Sequence, residues 1–538
     1  VDLRFQGPGP GQSDDARDAA PVPPAPTPSG KRLDVETRPS RALRVAVVAV
    51  VLLGVVVRFA ARSHLWLDEA LTVNIARLPL RQIPAALRQD GAPPTYYVLL
   101  HAWMAIFGTG TLAVRALPGL FGVATIPLTF TAARRVAGRR VAWAATLLLC
   151  AGPFAARYAT EGRMYTLVMV EVLVAFLAVL DLLEGGGRRP AAVLAVATGL
   201  GLLTHYWTVY LAAVAVVALV LVARRGSETA RSGARTALVA MAIGALAFLP
   251  WLPSFLYQLR HTGTPWGDPG SLRSVFDTVT DFAGGYWDPG IALGLMYFGL
   301  VGLAVLGVAL DSRHVLLDLR PRSPGGWLAA VTFGSLAVAI LAGIVGRSAF
   351  AVRYAAVLYP LFVIVVGVGT DVFADRRVFN GVLAAAIVLG LWADVPNVVG
   401  ERTSAPRVAA ALDAFGHPGD VVAYCPDQLG PSVSREIRSD GLVQLTFPRA
   451  IGPERVDWVD YMQVNHAGNP AAFAQMLLAR AGSAHDVWVV WAPGYKTYKT
   501  ECQNLIQQLG HARPDNQRVV KVSTKYFERP GLVQFRAS

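Results

Sequence analysis

Charged residues are scarce in this sequence of 538 residues. Asp, Glu, Lys and Arg make up 16% of it, where soluble domains run near a quarter. With 54% of the residues apolar and a mean hydropathy of +0.44, that scarcity excludes an ordinary water-soluble domain. Cysteine is scarcer still: there are three, with no CxxC pair and no His/Cys spacing of the kind that holds a metal ion. No cleavable signal peptide is evident. Nor is there an obvious internal repeat, and charges sit mostly at the ends of apolar runs, which argues against a secondary transporter. Glu171, about two turns into a run, is the exception. The net charge of +13 does not point to nucleic acid, because the Arg residues fall in short clusters between apolar runs instead of on one basic face.

What the sequence has is hydrocarbon in lengths that match a bilayer. Apolar runs near 44–61, 112–133, 141–156, 164–183, 190–205, 207–223, 236–254, 289–310, 326–346, 354–371 and 379–397 each approach the roughly 20 residues that cross a membrane. The fold class expected is therefore an α-helical polytopic membrane protein with about 11 spans. Arg134 to Arg140, Arg188 and Arg189, Arg224 to Arg235, Arg313 to Arg322, and Arg376 and Arg377 follow every second run, and the positive-inside rule puts them in the cytoplasm. Pro93 to Phe107 would make another span, but crossing there would turn every later Arg cluster outward. It is expected to lie in the outer interface, with Tyr96, Tyr97, His101 and Trp103 at headgroup depth.

This parity divides the chain. Residues 1–40, rich in Pro, Ala, Asp and Ser, read as a disordered cytoplasmic tail whose opening resembles the remnant of a protease site. Residues 41–397 form the transmembrane domain of a multi-pass plasma (inner) membrane protein. Its loop 62–111 shares the outer compartment with 157–163, 255–288, 347–353 and 398–538. The last of these alternates strand-like runs at 420–424, 487–491, 519–523 and 532–535 with helical stretches near 431–438, 470–481 and 500–510, which predicts an extracytoplasmic α/β domain. Its Cys425 and Cys502 then face an oxidising compartment, free to pair or to remain apart. Cys150 falls within a span and reads as packing.

The chemistry is expected just after the first span, at His64-Leu65-Trp66-Leu67-Asp68-Glu69-Ala70-Leu71-Thr72. Adjacent carboxylates on one element point different ways, so one is able to face a reacting hydroxyl while the other is held by Arg. Taken alone, the pair also fits the first turn of an interfacial helix. Its surroundings add Asp90-Gly91-Ala92-Pro93-Pro94-Thr95-Tyr96-Tyr97 and His101, then Arg157-Tyr158-Ala159-Thr160-Glu161-Gly162-Arg163-Met164-Tyr165, Thr204-His205-Tyr206 and Arg353-Tyr354. All fall on the outer side under a topology set only by the Arg clusters.

Over roughly residues 44–370 these motifs resemble the bacterial relatives of protein O-mannosyltransferases and aminoarabinose transferases, glycosyltransferases of the GT-C superfamily. Those families carry an Asp-Glu pair after the first span, a Pro-Pro-x-Tyr-Tyr juxtamembrane helix, a Glu-x-Arg-Met-Tyr loop and a later Arg-Tyr. The chain departs in having Ala92 where many relatives have His or Lys. The resemblance implies a polyprenyl-phosphate sugar as donor and transfer on the outer face. With the leaving phosphate met by Arg and Tyr donors no metal or other cofactor is strictly required, and the acceptor, amid membrane lipid, is expected to be a cell-envelope glycan, a glycolipid or a protein. The resemblance also implies Asp68 and Glu69 as catalytic residues, with Arg163, Tyr165, Arg353, Tyr354, Arg347, His205 and Tyr206 around the donor phosphate. Asp90, Tyr96, Tyr97, His101, Glu161 and Arg157 would line the substrate loop. Mannose is the first expectation for the sugar and arabinofuranose the second. From other classes, a secondary transporter or a non-catalytic glycan-binding scaffold would predict flux or binding without sugar transfer.

Overall fold

The computed structural model describes residues 40–263, 267–319, 324–346 and 350–537. The expected tail, 1–40, lies outside the described residues except for Ser40. Val1–Val45 forms a unit apart from Ala46–Ser538; of it only Ser40 and the opening of helix α1 (Arg41–Val57) are described.

Three short helices follow, α2 (Leu67–Ala76), α3 (Ile83–Asp90) and α4 (Thr95–Phe107). Gly91 ends α3 at φ +85°, a left-handed conformation in which a Cβ is strained. Pro93 and Pro94 follow, and Pro94 is the N-cap residue of α4. The long α5 (Thr111–Cys150) contains two of the expected runs, joined by a break at Ala137 and Gly138, where Arg134, Arg135, Arg139 and Arg140 cluster. Its second arm stops at Cys150, earlier than the expected end near 156, because Gly152 and Pro153 interrupt it and start the separate helix α6 (Pro153–Ala159).

The helical part continues through α7 (Tyr165–Leu183), α8 (Arg188–Thr204), α9 (Thr208–Arg225), α10 (Glu228–Leu246), α11 (Leu252–His261), α12 (Arg273–Phe282) and α13 (Asp288–Leu306). After a small antiparallel hairpin of β1 (Gly307–Ala309) and β2 (Val315–Leu317) come α14 (Pro324–Val345), α15 (Tyr359–Asp371) and α16 (Arg376–Val399). Seven helical stretches among the described residues are long and apolar enough to cross a bilayer. That is fewer than the apolar runs of the sequence, since α5 holds two runs and α1, α8 and α15 are shorter, at 17, 17 and 13 residues. Glycines let these helices touch backbone to backbone: a Cβ on Gly233 would come within 1.9 Å of the Leu182 carbonyl, and one on Gly369 within 1.8 Å of that of Leu300.

The C-terminal domain opens with α17 (Ala405–Phe415) and is built on a five-stranded sheet of order β4-β3-β5-β7-β6. Parallel β3 (Val421–Cys425), β4 (Val443–Thr446) and β5 (Val487–Trp491) are continued by antiparallel β7 (Gly531–Phe535) and the edge strand β6 (Asn516–Val520). Strand alternation sends Val422, Tyr424, Trp488 and Val490 to one face, against α17 and α18 (Gly430–Glu436). It sends Val421, Ala423, Val487 and Val489 to the other, against α20 (Pro470–Ala481) and α21 (Glu501–Ala512), with the short α19 (Tyr461–His466) at the side. Both faces being covered, the central strands are apolar throughout. Cys425, at the end of β3, is disulfide-bonded to Cys502 in α21, 77 residues on. The expected strand 519–523 lies earlier, at 516–520, because the edge strand's Asn516, Gln517 and Arg518 carry no apolar signal.

This domain sits directly on the loop that follows α1. Asn74 Nδ2 donates to the Glu454 carbonyl at 2.7 Å, the Trp458 amide to that of Gln89 at 3.2 Å, and Arg435 to that of Thr109. His261 at the end of α11 meets Asp460 at 3.1 Å.

Candidate active site

Helix α2 separates the two adjacent acids. Trp66 is extended and the helix starts at Leu67, so Asp68 and Glu69 share the first turn about 100° apart around its axis. Glu69 points inward and is fully buried. Its Oε1 accepts from Arg115 Nε at 2.8 Å and the Gly162 amide at 2.9 Å, and its Oε2 from Arg115 Nη2 at 2.6 Å. Burial pushes the Glu69 carboxyl up, but Arg115, Arg402 and the Gly162 amide outweigh it and hold the group below the usual carboxylate range. Arg115 also binds the carbonyls of Ser63, at 2.5 Å, and His64, at 3.1 Å. Glu69 therefore ties the loop after α1 to α5 and to the 160s loop. Glu69 has no exposed surface, whereas Asp68, expected beside it as the second catalytic acid, is the member of the pair that reaches open space.

Asp68 points the other way, toward a partly open space. Its carboxylate, 14% exposed, lies 3.2 Å from Arg353 Nη1, in the 3-10 turn Val352–Val357 that precedes α15. Beside it Arg163 Nη1 donates to Thr72 Oγ1 at 2.7 Å and to the Tyr97 hydroxyl at 3.1 Å, and that hydroxyl donates to Asp90 Oδ2 at 2.8 Å. Burial raises the Asp90 carboxyl, with Arg163 and Tyr97 opposing. Burial also works against the charge on Arg163, but Tyr97, Tyr165, Asp68 and Asp90 outweigh it and hold the guanidinium above its usual range. Two arginines thus converge on Asp68 from different elements. Tyr165, buried with its hydroxyl unpartnered, stands next to them. Its ring is 5.9 Å from that of His205, and His205 is 5.4 Å from Tyr354. These aromatic groups form a wall on the bundle side.

Other expected residues take structural posts. His101 Nδ1 is 2.7 Å from the Ala76 carbonyl, so it fixes α4 to the end of α2. The Tyr206 hydroxyl is engaged by Gln258 of α11 and, at 2.9 Å, by Trp251 Nε1, which ties it to that helix and to the turn before it. Tyr96 is fully buried beside Tyr97. Arg157 pairs with Glu161 at 2.6 Å, and Arg402 completes that cluster by donating to the carbonyl and hydroxyl of Thr160, both at 2.8 Å. Arg347 lies outside the described residues.

Three further residues were not foreseen. Arg115 was visible as a lone charge near the start of an apolar run, the kind that demands a buried partner. Arg402, which burial pushes down to about 9, follows the last span and carries no motif. Asp281, in α12, faces Arg157 and Arg353, and burial raises it to about 6 against their pull. Among the described residues no three His, Cys, Asp or Glu side chains come together as metal ligands.

Residues 91–253 match the family model described as dolichyl-phosphate-mannose-protein mannosyltransferase. The structure of ArnT from Cupriavidus metallidurans in the apo state superposes with a TM-score of 0.58 at 16% identity, covering 92% of this chain and 98% of that one. The same protein bound to undecaprenyl phosphate gives 0.57 at 17% identity, covering 93% and 99%. The chain has the fold of a GT-C glycosyltransferase. The resemblance read from the motifs between 44 and 370 thus extends, as a fold, through the C-terminal domain. No curated protein matches the sequence.

Proposed function

We propose that the chain is an inverting glycosyltransferase, moving a sugar, mannose by preference, from a polyprenyl-phosphate donor to a hydroxyl of a cell-envelope acceptor on the extracytoplasmic face. One observation carries the reading: an accessible carboxylate, Asp68, paired with Arg353 and flanked by Arg163, in the GT-C fold. The ArnT relative bound to undecaprenyl phosphate supports a lipid-phosphate carrier, and the family match over 91–253 supports mannose.

The chemistry follows from the groups present. The acceptor oxygen bonds to the anomeric carbon as the bond from that carbon to the phosphate oxygen breaks, and Asp68 takes the hydroxyl proton. Charge building on the departing phosphate is met by Arg353, Arg163 and the Tyr165 hydroxyl; a guanidinium suits it by donating two hydrogen bonds at once. The ion pair between Asp68 and Arg353 gives this a sequence. A donor phosphate that draws Arg353 to itself leaves the Asp68 carboxylate free to meet the hydroxyl.

The test is transfer by the purified chain in liposomes supplied with a polyprenyl-phosphate sugar, with the product's anomeric configuration read by NMR. Transfer with inversion is expected. Retention, or transfer from a nucleotide sugar without lipid carrier, contradicts the reading.

A further inference from the structure

Helix α2 carries Asp68 but has no cap of its own. Its N-cap residue is Trp66, which makes no side-chain bond to the first turn, and the opening amides of a helix need acceptors from somewhere. A carboxyl from the far end of the chain lies beside this turn. Glu528, in the loop between β6 and β7, is 3% exposed. Its backbone is pinned twice: its amide donates to the Arg402 carbonyl at 2.9 Å, and its own carbonyl accepts from the Ser404 amide at 3.1 Å. Its Oε1 accepts from Ser432 Oγ of α18 at 2.8 Å. Oε2 is buried without a tight partner, and the carboxyl lies against the Leu67 amide, the Thr403 hydroxyl and Asp68. The preceding residue, Phe527, packs edge-on against Trp66 at 5.2 Å. The loop is thus locked onto the start of α2.

A carboxyl is a costly way to dock two domains, since burying it sacrifices its hydration, and an apolar side chain would fill the space as well. At a helix N-terminus it has a specific use, because the free amides there favour an oxygen acceptor, and they oppose the burial and the nearby Asp68 that push the Glu528 carboxyl up to about 7. We propose that Glu528 is a positioning residue for Asp68: by holding the first turn of α2 from the C-terminal domain, it fixes the direction in which the Asp68 carboxylate meets the acceptor hydroxyl. The inference rests on the reading of Asp68 as the base of sugar transfer. It means that the catalytic helix is complete only with the C-terminal domain docked.

The experiment compares Glu528→Ala, Glu528→Gln and Asp68→Asn in the full chain, measuring kcat, donor KM and thermal unfolding. Loss of this support should lower kcat about tenfold in Glu528→Ala while donor KM stays within about twofold. Glu528→Gln keeps a carbonyl for the Leu67 amide and should recover kcat to within about threefold of wild type. The proposal is overturned by full kcat in Glu528→Ala, by a Gln variant as poor as the Ala variant, or by kcat, donor affinity and unfolding temperature falling together. If Asp68→Asn transfers normally, the underlying reading has failed instead, which separates the two.

Discussion

Asp68 and Glu69 are nearly the same chemical group one residue apart, and the helix gives them opposite tasks. Glu69 is turned into the protein, where Arg115 encloses it; Asp68 is turned to the space that Arg353 and Arg163 border. Glu69→Gln would leave the Arg115 guanidinium buried without its counter-charge, at a cost of about 3–5 kcal/mol. A large drop in unfolding temperature in detergent is the expected result, and an unchanged one would show that Glu69 is not the structural member of the pair. Adjacency made the division of labour legible in the sequence, though not which acid took which role. That depended on Arg115, Arg402 and Gly162, which are distant in sequence and meet only in the fold. Tyr206 and His101 illustrate the limit from the other side. Each sits in a recognisable motif, yet its polar atom is occupied by a neighbouring backbone or side chain that no motif records.

Among the elements, the helices were the most legible because apolar length is a direct physical requirement of the bilayer. Their ends were less so: Gly152 with Pro153 cut the second arm of α5 short, and the break at Gly138 replaced an expected loop by a kink. In the C-terminal domain, buried β3 and β5 were plain as apolar runs, whereas the polar edge strand β6 was shifted, and β4 and α17 were not anticipated. Close packing between helices was invisible to hydropathy altogether. At Gly233, where α10 meets the end of α7, a side chain would push into the Leu182 carbonyl. Gly233→Val should therefore separate the two helices, with a loss of about 1–3 kcal/mol from overpacking, read as a lower unfolding temperature. A variant as stable as wild type would mean that these helices do not approach as described.

For the molecule as a whole, the C-terminal domain sits on the loop that carries Asp68, and the proposal for Glu528 requires it to stay folded there. The Cys425–Cys502 bond closes a loop of 77 residues, so Cys502→Ser should cost this domain about 4 kcal/mol on the chain-entropy account. Greater protease sensitivity of 398–538 would register that loss, and unchanged sensitivity would contradict it. Asp427 adds a pH dependence. Burial raises its carboxyl to about 6 even though Tyr461 and Tyr498 donate to it. Between about pH 4 and 6 the folded domain holds a proton that the unfolded chain has released, so this group's contribution is full below about pH 4 and is lost as pH rises through 6. The change amounts to about 3 kcal/mol. Wild type should lose unfolding temperature across that window relative to Asp427→Asn; parallel curves would contradict the assignment. On the function proposed, domain, loop and bundle together present one carboxylate, Asp68, to an acceptor. Single-turnover transfer from a radiolabelled polyprenyl-phosphate sugar, comparing wild type with Asp68→Asn at equal donor occupancy, tests that most directly. The account predicts a fall in the transfer rate of about 10²–10⁴-fold with donor still bound; transfer at the wild-type rate would contradict it.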